Sequence, residues 1–517
     1  MHLFKAFVNI YKIVQNINLN QLPGCGYSDT IIYMQTYQIP NIHNKIIILA
    51  LGAESAGNFS LWKNNVLYFS QDFGDLGNEK NFSNFKTALL KFLKGQNIKP
   101  EVVLSDLHPF FETTKFAQKL AKKYKAQYLP IQHHLAHVFS AFGDQIVERG
   151  AWSMEQKLIP TKQYTSYKIP HTILGIACDG TGLGTDGKIW GGEAFAISNF
   201  QFPISNENTN SNKIQIQRVG HLENQVLLGG EMAIREPARF IIAIINKCQM
   251  SNVKFPIKSQ FSNVKNKKQL AYEIVKKYYA HNEFEVLWNQ LEQNFNCLET
   301  SSTARVLDAV SVLLGFSNNE RLSKHGPIAL LEKNSTNPYN NLNPKIERYL
   351  PTGQAGKTQE TKTKQNSNFK IQTPSEMLFL NTTYLFEYLI KNLHRDKARL
   401  AATAQKYIAE GMMKIVKLSN QSSASLASTR SLCESRRVIS NQEMKKASNQ
   451  SSVISNQEME VADHPLPVTA FFAAGGMMNN KIISEILTKQ GFYLNQKIPR
   501  GDAGLSFGQI MFYLLTK

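Results

Sequence analysis

The sequence predicts an α/β protein. Three observations carry that reading: apolar runs of strand length, helical spacing between them, and polar glycine-bearing turns where the runs end. Residues 46–52 open the pattern, with Ile46-Ile47-Ile48-Leu49-Ala50-Leu51 as a buried-strand run closing on Gly52. Residues 65–70 read as a second strand and 85–93 have helical spacing. Val102-Val103-Leu104 is a third, short strand running into Ser105-Asp106-Leu107-His108-Pro109. The run at 172–177 delivers Asp179 at its C-terminal end, and 468–473 leads into Ala474-Gly475-Gly476. The first 45 residues carry no strong pattern and are left as an unassigned extension. Residues 151–168 and 203–213 are polar connectors. Residues 334–372 and 419–464 lack the apolar content to offset ordering entropy, so both are expected to be disordered inserts. The second contains a direct repeat, 438–444 recurring at 453–459, too short to make a solenoid.

Bulk properties narrow the function classes. A chain of 517 residues with 42% hydrophobic content has room for two or three domains or one duplicated fold. The formal charge of +19 invites a nucleic-acid partner, but it is mostly scattered lysine, so nucleic acid stays an alternative rather than the expectation. A denser stretch (Lys254, Lys258, Lys265, Lys267, Lys268, Lys276 and Lys277) is read as a solvated face or loop, with an anionic docking surface as the alternative. Five dispersed cysteines form neither a disulfide framework nor a Cys-x2-Cys metal pair. No apolar stretch reaches the roughly 20 residues of a membrane span, and no secretory signal is visible. A cytoplasmic protein with no membrane partner is the expectation.

The strongest chemical signal is His133-His134-Leu135-Ala136-His137. On a helix, positions i and i+4 share a face, so His133 and His137 are placed to share one metal ion. Such a pair also occurs for other reasons. Asp179, beside the glycines of Asp179-Gly180-Thr181-Gly182-Leu183-Gly184, offers a carboxylate as a third ligand. Glycine turns at 51–57, 179–187, 191–192 and 475–476 are either phosphate cradles or plain tight turns, and none matches a Walker or Rossmann spacing. Asp502, in Arg500-Gly501-Asp502-Ala503-Gly504, reads equally as a helix N-cap.

These motifs, with Ile189-Trp190-Gly191-Gly192-Glu193, Ala233-Ile234-Arg235-Glu236-Pro237-Ala238-Arg239, Thr300-Ser301-Ser302 and Arg305, fall in one order. The set resembles the carbamoyltransferase domain of the HypF family. The resemblance implies a duplicated ribonuclease-H-like (actin/Hsp70-like) fold. One half is then expected over 46–205, a mainly helical inserted region over 206–299 and the second half over 300–517. It implies His133, His137, Asp179 and Asp502 as ligands of a divalent ion, iron or zinc, with His134 and Arg305 as catalytic residues. Thr181, Gly182, Gly191, Gly192, Asp308, Gly326, Gly475, Gly476 and Asn480 are implied on the nucleotide side, Asp308 for the ribose hydroxyls.

The implied reaction passes a carbamoyl group from carbamoyl-adenylate to the C-terminal cysteine of a HypE-type partner, in nickel–iron hydrogenase maturation. Because the family's upstream domains are not visible in the sequence, a separate adenylate-forming (YrdC-like) protein is expected to supply the donor. Where the family has Tyr-Glu-Gly-Gln, this chain reads Lys324-His325-Gly326-Pro327; Ala304, Ala474 and Ile408 also depart from its pattern. Alternatives are small-molecule O-carbamoylation, threonylcarbamoyl transfer to tRNA (TsaD-like) and a non-catalytic nucleotide-binding scaffold.

Overall fold

Every residue of Ile48–Leu51 is buried, which a strand achieves when both faces of its sheet are covered. The computed structural model describes residues 33–39, 42, 44–156, 170, 172–198, 214–249, 264–350, 371–372, 376–446 and 469–517. The first lobe comprises β1 (Met34–Gln38), β2 (Ile48–Leu51), β3 (Phe59–Lys63), β4 (Val66–Ser70), α1 (Glu79–Gly95), β5 (Val102–Asp106), α2 (Glu112–Tyr124), β6 (Gln127–Ile131) and α3 (His133–Gln156). Its sheet runs β1-β4-β3-β2-β5-β6. The β2-β3-β4 meander is antiparallel, and β5 and β6 continue parallel to β2.

The second lobe repeats that plan around long excursions. It opens with β7 (Thr172–Leu183), β8 (Ile189–Ser198), β9 (Gln215–Leu222), β10 (Gln225–Leu228), α4 (Met232–Arg235) and α5 (Ala238–Lys247). Then come α6 (Lys267–Val275), α7 (His281–Glu292), β11 (Cys297–Thr300), α8 (Thr303–Leu314), α9 (Gly326–Lys333), β12 (Ile346–Tyr349), β13 (Ile371–Gln372) and β14 (Met377–Leu380). The chain closes with α10 (Thr382–Lys391), α11 (Lys397–Lys446), β15 (Thr469–Ala474), α12 (Lys481–Lys489) and α13 (Leu505–Thr516). Here β7-β8-β9 is the antiparallel meander and β15 lies parallel to β7, as β5 does to β2. The fold is α/β and duplicated.

Alternation along the strands builds five layers. Leu49 and Leu51 face outward to a core with α1 and α2. Ile48 and Ala50 face inward, into a middle layer that α3 and α13 share with Ile173, Ala177, Phe472 and Ala474 of the second sheet. Leu174 and Ile176 face the outermost layer, packed by α5, α8, α11 and α12. The middle helices are exchanged: α3 follows the first sheet but packs on β7 and β15, whereas α13 follows β15 and packs on β2, β3 and β5. They cross closely enough that a Cβ on Gly508 would lie 1.9 Å from the Ala136 carbonyl oxygen.

The described residues adjust several expectations. Met34–Gln38, inside the unassigned extension, is an edge strand paired along its length with β4. The region 206–299 is not only helical, since β9 is a central strand of the second sheet. Within 334–372, β12 pairs with β14 and β13 with β9, so those parts are ordered; backbone pairing supplies what their polar sequence hides. The helix α11 runs into the second polar segment as far as Lys446, and residues 447–464, including the second copy of the repeat, lie outside the described residues. No helix among the described residues is long and apolar enough to cross a membrane.

Candidate metal centre

The site forms where strand ends from both lobes meet the starts of the exchanged helices. His133 opens α3, and the i,i+4 spacing carries His137 one turn on; their ring centroids are 4.8 Å apart. Asp179 arrives on a bulge. Between the pairs Cys178↔Gly192 and Gly182↔Trp190, residues 179–181 stand opposite Gly191 alone, and such a bulge re-aims side chains. Asp502 comes from the short 3-10 turn Asp502–Gly504 just before α13.

One atom from each residue faces the others. His133 Nε2 and His137 Nε2 lie 3.1 and 3.3 Å from Asp179 Oδ2, and 3.6 and 3.5 Å from Asp502 Oδ1. The four ligand atoms fall within 4.8 Å of one another, a group able to hold a metal ion. Asp502 Oδ1 is buried and accepts no hydrogen bond from any described residue, the condition expected of an oxygen reserved for a cation.

The remaining polar atoms of three ligands are held from outside, as ligand orientation requires. Asp106 Oδ2 takes His133 Nδ1 at 2.7 Å, and Asp106 Oδ1 accepts the His108 amide at 2.9 Å. The Gly476 amide donates to Asp179 Oδ1 at 3.0 Å. Asp502 Oδ2 accepts from Ser55 Oγ and from Lys324 Nζ, the latter at 2.8 Å. Asp106, Ser55 and Lys324 were not assigned roles from the sequence. Each left a signal there: Asp106 as a carboxylate at the end of a predicted strand, Ser55 within the 51–57 glycine turn, and Lys324 as a departure from the family pattern.

Charge follows the same geometry. Burial opposes protonation of both imidazoles, but Asp106, Asp179 and Asp502 outweigh it and hold His133 well above the ordinary imidazole range and His137 above it. For Asp179, burial and the nearby Asp502 act upward, and hydrogen bonds from the two imidazoles reverse them; both carboxyls sit below the usual carboxylate range. Two nitrogens and two carboxylate oxygens suit iron or zinc.

His134 is a different kind of histidine. The Gln132 amide oxygen accepts from Leu135 N–H at 2.9 Å, so its Nε2 must be the donor to His134 Nδ1 at 3.0 Å. His134 therefore carries its proton on Nε2, which has no partner among the described residues. Burial, followed by repulsion from His133, lowers its pKa well below the ordinary value and keeps it neutral.

The residues expected on the nucleotide side divide. Gly182 is glycine because a Cβ there would meet His134 at 2.7 Å and His133 at 2.9 Å. Gly476 touches Asp179 directly, and Gly475 (φ +96°) turns the chain over Cys178, whose carbonyl oxygen a Cβ would approach to 2.2 Å. Thr181 is exposed on the bulge. The amides of Gly191 and Gly192 instead point at Glu193 Oε1, at 3.2 and 3.4 Å. Glu193 is buried and also takes Ser301 Oγ at 2.5 Å and Arg218 Nε at 2.6 Å; the two glycines allow close packing, since a Cβ on Gly191 would lie 3.0 Å from Ser302 Cα and one on Gly192 2.6 Å from Leu222. Asn480 caps α12 and donates to Gln405 at 2.6 Å. Gly326 begins α9, next to the loop carrying Lys324.

Arg305 and Asp308 form a buried pair on α8 at 3.2 Å, with Arg321 3.5 Å from the same carboxylate. Arg305 Nε and Nη1 and both Asp308 oxygens lack hydrogen-bond partners among the described residues. The Arg235–Arg239 motif borders a separate cavity of about 700 Å³, lined by Glu236, Arg239, Tyr279 and Asn319 among others and by none of the four metal-group residues. Of the lysine-rich stretch, Lys268 and Lys276 pair with Glu285 and Glu273, while Lys254 and Lys258 lie outside the described residues.

A duplicated ribonuclease-H-like fold with a His-x3-His helix and two carboxylates at its crossing defines an actin-like protein with a metal-competent centre. Residues 43–144 match the family "HypF Kae1-like domain", and 175–429 match "Carbamoyltransferase, Kae1-like Domain, second subdomain". The chain belongs to the HypF carbamoyltransferase family. It is 28% identical over 493 residues to the probable carbamoyltransferase HypF of Methanocaldococcus jannaschii, covering 92% of this chain and 47% of that protein. A carbamoyltransferase HypF homolog of Cupriavidus necator is 26% identical over 300 residues, 57% of this chain and 62% of the relative. Two crystal structures share the fold, each across 93% of this chain. One is of full-length HypF in the phosphate- and nucleotide-bound form (TM-score 0.60, 20% identity, 47% of that chain), and the other is of T. kodakarensis HypF (0.61, 22%, 48%). The chain thus spans about half the length of the M. jannaschii relative and of both solved structures.

Proposed function

We propose that this chain is a metal-dependent carbamoyltransferase that moves a carbamoyl group from carbamoyl-adenylate to the C-terminal cysteine thiol of a HypE-type partner, in nickel–iron hydrogenase maturation. The observation that carries the reading is the convergence of His133 Nε2, His137 Nε2, Asp179 Oδ2 and Asp502 Oδ1 in a chain of this family, with Asp502 Oδ1 left without a hydrogen-bond donor.

In this reading those four residues hold the divalent ion, iron or zinc, which supplies Lewis-acid stabilisation of charge developing on the donor. Asp106, the Gly476 amide and Ser55 keep the ligands in place. His134, neutral and with Nε2–H free, is the donor available to the carbonyl oxygen as it becomes negative. The sulfur–carbon bond forms as the carbon–oxygen bond to the adenylate breaks. AMP leaves with that electron pair, and the thiol proton is released. Arg305 and Asp308, buried with unmet hydrogen-bonding capacity, support a nucleotide-side role for α8.

The test is direct. Zinc- or iron-loaded protein, labelled carbamoyl-adenylate and a peptide ending in cysteine should yield a peptide thiocarboxamide, detected by mass. The yield should vanish for His133→Ala. Transfer only to a hydroxyl compound, or turnover only with tRNA, overturns the acceptor assignment.

A further inference from the structure

The metal group does not stand alone electrically. Asp179 and Asp502 both contact the two imidazoles, and a third carboxylate, Asp106, contacts His133. A dication bound by neutral imidazoles leaves one negative charge on that set, and an anionic substrate would be repelled. Lys324 supplies the missing charge. It reaches in from the loop between α8 and α9, with Nζ 2.8 Å from Asp502 Oδ2 and 3.0 Å from Ser55 Oγ. Those two contacts engage two of the three ammonium donors, leaving the third. The four ligand side chains are at most 10% exposed, but Lys324 is 46% exposed. It therefore lies where the centre meets solvent.

We propose that Lys324 is the anion anchor of this centre, holding the phosphate of an adenylate beside the metal and setting its preference for a negatively charged donor. The identity of that anion rests on the carbamoyl-adenylate reading above; the anchoring role rests on the contacts. Asp502 Oδ2 and Ser55 fix the ammonium laterally, so its charge is already in position before the donor arrives.

The experiment uses the full chain loaded with zinc and titrates AMP, with adenosine as the uncharged control, by calorimetry. The wild type should bind AMP more tightly than adenosine. Lys324→Gln leaves the Ser55 hydrogen bond on Asp502 Oδ2, so it should keep one zinc per chain, weaken AMP at least tenfold and leave adenosine within twofold; Lys324→Arg should recover most of the AMP affinity. Unchanged AMP binding in Lys324→Gln, equal losses for AMP and adenosine, or a wild type that does not distinguish the two overturns the proposal. Loss of zinc in Lys324→Gln overturns it too, because the lysine would then be part of the metal scaffold. None of these readouts involves carbamoyl transfer. Lys324-dependent AMP binding without thiocarboxamide formation sinks the acceptor reading alone, and thiocarboxamide formation with Lys324-independent AMP binding sinks the anchor alone.

Discussion

The two lobes place the same topological elements around the metal group and give them opposite chemistry. In the first lobe the strand parallel to the meander, β5, ends in a carboxylate, and Asp106 holds an imidazole. In the second lobe the equivalent strand, β15, ends in Gly475-Gly476, and a backbone amide holds a carboxylate. The exchanged helices differ likewise: α3 brings two nitrogens, while the turn before α13 brings an oxygen. Duplication supplies a shared axis, and divergence at the strand ends sorts ligands from the groups that hold them. The connections diverged as well. Residues 71–101 join β4 to β5 with one helix, whereas 223–468 join β9 to β15 and carry Arg305, Asp308 and Lys324.

The largest expected effect breaks the axis itself. His137→Ala removes a ligand that no other described residue duplicates, so metal affinity should fall by more than about 100-fold in a competition titration. A folded variant that still retains stoichiometric metal would contradict the ligand set. Next come the two holders. Asp106→Asn and Gly476→Ala act from opposite lobes, the second by placing a Cβ 2.9 Å from Asp179 Oδ1. Each should cost roughly 10- to 100-fold in metal affinity. A loss from one and none from the other would show that only one lobe orients the centre.

The helix crossing gives a smaller and asymmetric effect. A Cβ on Gly508 meets the rigid Ala136 backbone at 1.9 Å, while one on Gly143 meets the flexible side chains of Met511 and Phe507 at 2.5 and 2.7 Å. Gly508→Ala should destabilise by about 3 kcal/mol and Gly143→Ala by about 1 kcal/mol, measured by denaturant unfolding. Equal costs would mean that the two glycines are equally confined.

A last test leaves the residues intact and varies pH. In metal-free protein His133 and His137 have raised folded pKa values relative to 6.5 unfolded. Their stabilising protonation is fully present below about pH 6.5 and lost as pH rises through the folded values. Metal must displace those protons, so metal affinity should climb with pH above neutrality, by up to about two decades per unit if both sites titrate. A flat profile between pH 6 and 9 would break the link.

Much of this was legible in the residues. Uninterrupted apolar runs gave β2, β5, β7 and β15, because doubly covered strands need no polar face. The i,i+4 histidines and the carboxylate beside the glycine turn, Asp179, were read from the residues, and the order of motifs added Asp502; the structure brings the four side chains together. The holders were hidden because contacts such as Ser55 with Asp502 join opposite ends of the chain and follow no local period. Asp144 was hidden too. It accepts the amides of Gln496, Lys497 and Ile498, fixing the approach to Asp502 from the middle of α3. The glycine motifs announced close approach without naming the visitor; at Gly191 it is the backbone of Asp179, Gly180 and Ser302, and at Gly192 the Leu222 side chain and the Ser301 carbonyl. The edge strand β1 and the short strand β12 were missed because backbone pairing with a neighbour, rather than hydrophobic patterning, holds them.

The exchange of α3 and α13 also sets an order of assembly. The inner face of the first sheet is covered by a helix synthesised after every other described element. Ile48, Ala50 and Leu104 therefore wait on Leu505, Phe507 and Ile510, a contact of very long sequence separation, the kind that slows folding. As the chain emerges from the ribosome the first lobe can pair its strands and seat α1 and α2, yet its inner surface stays open until α13 arrives. Closing that surface brings Asp502 to the histidines in the same step.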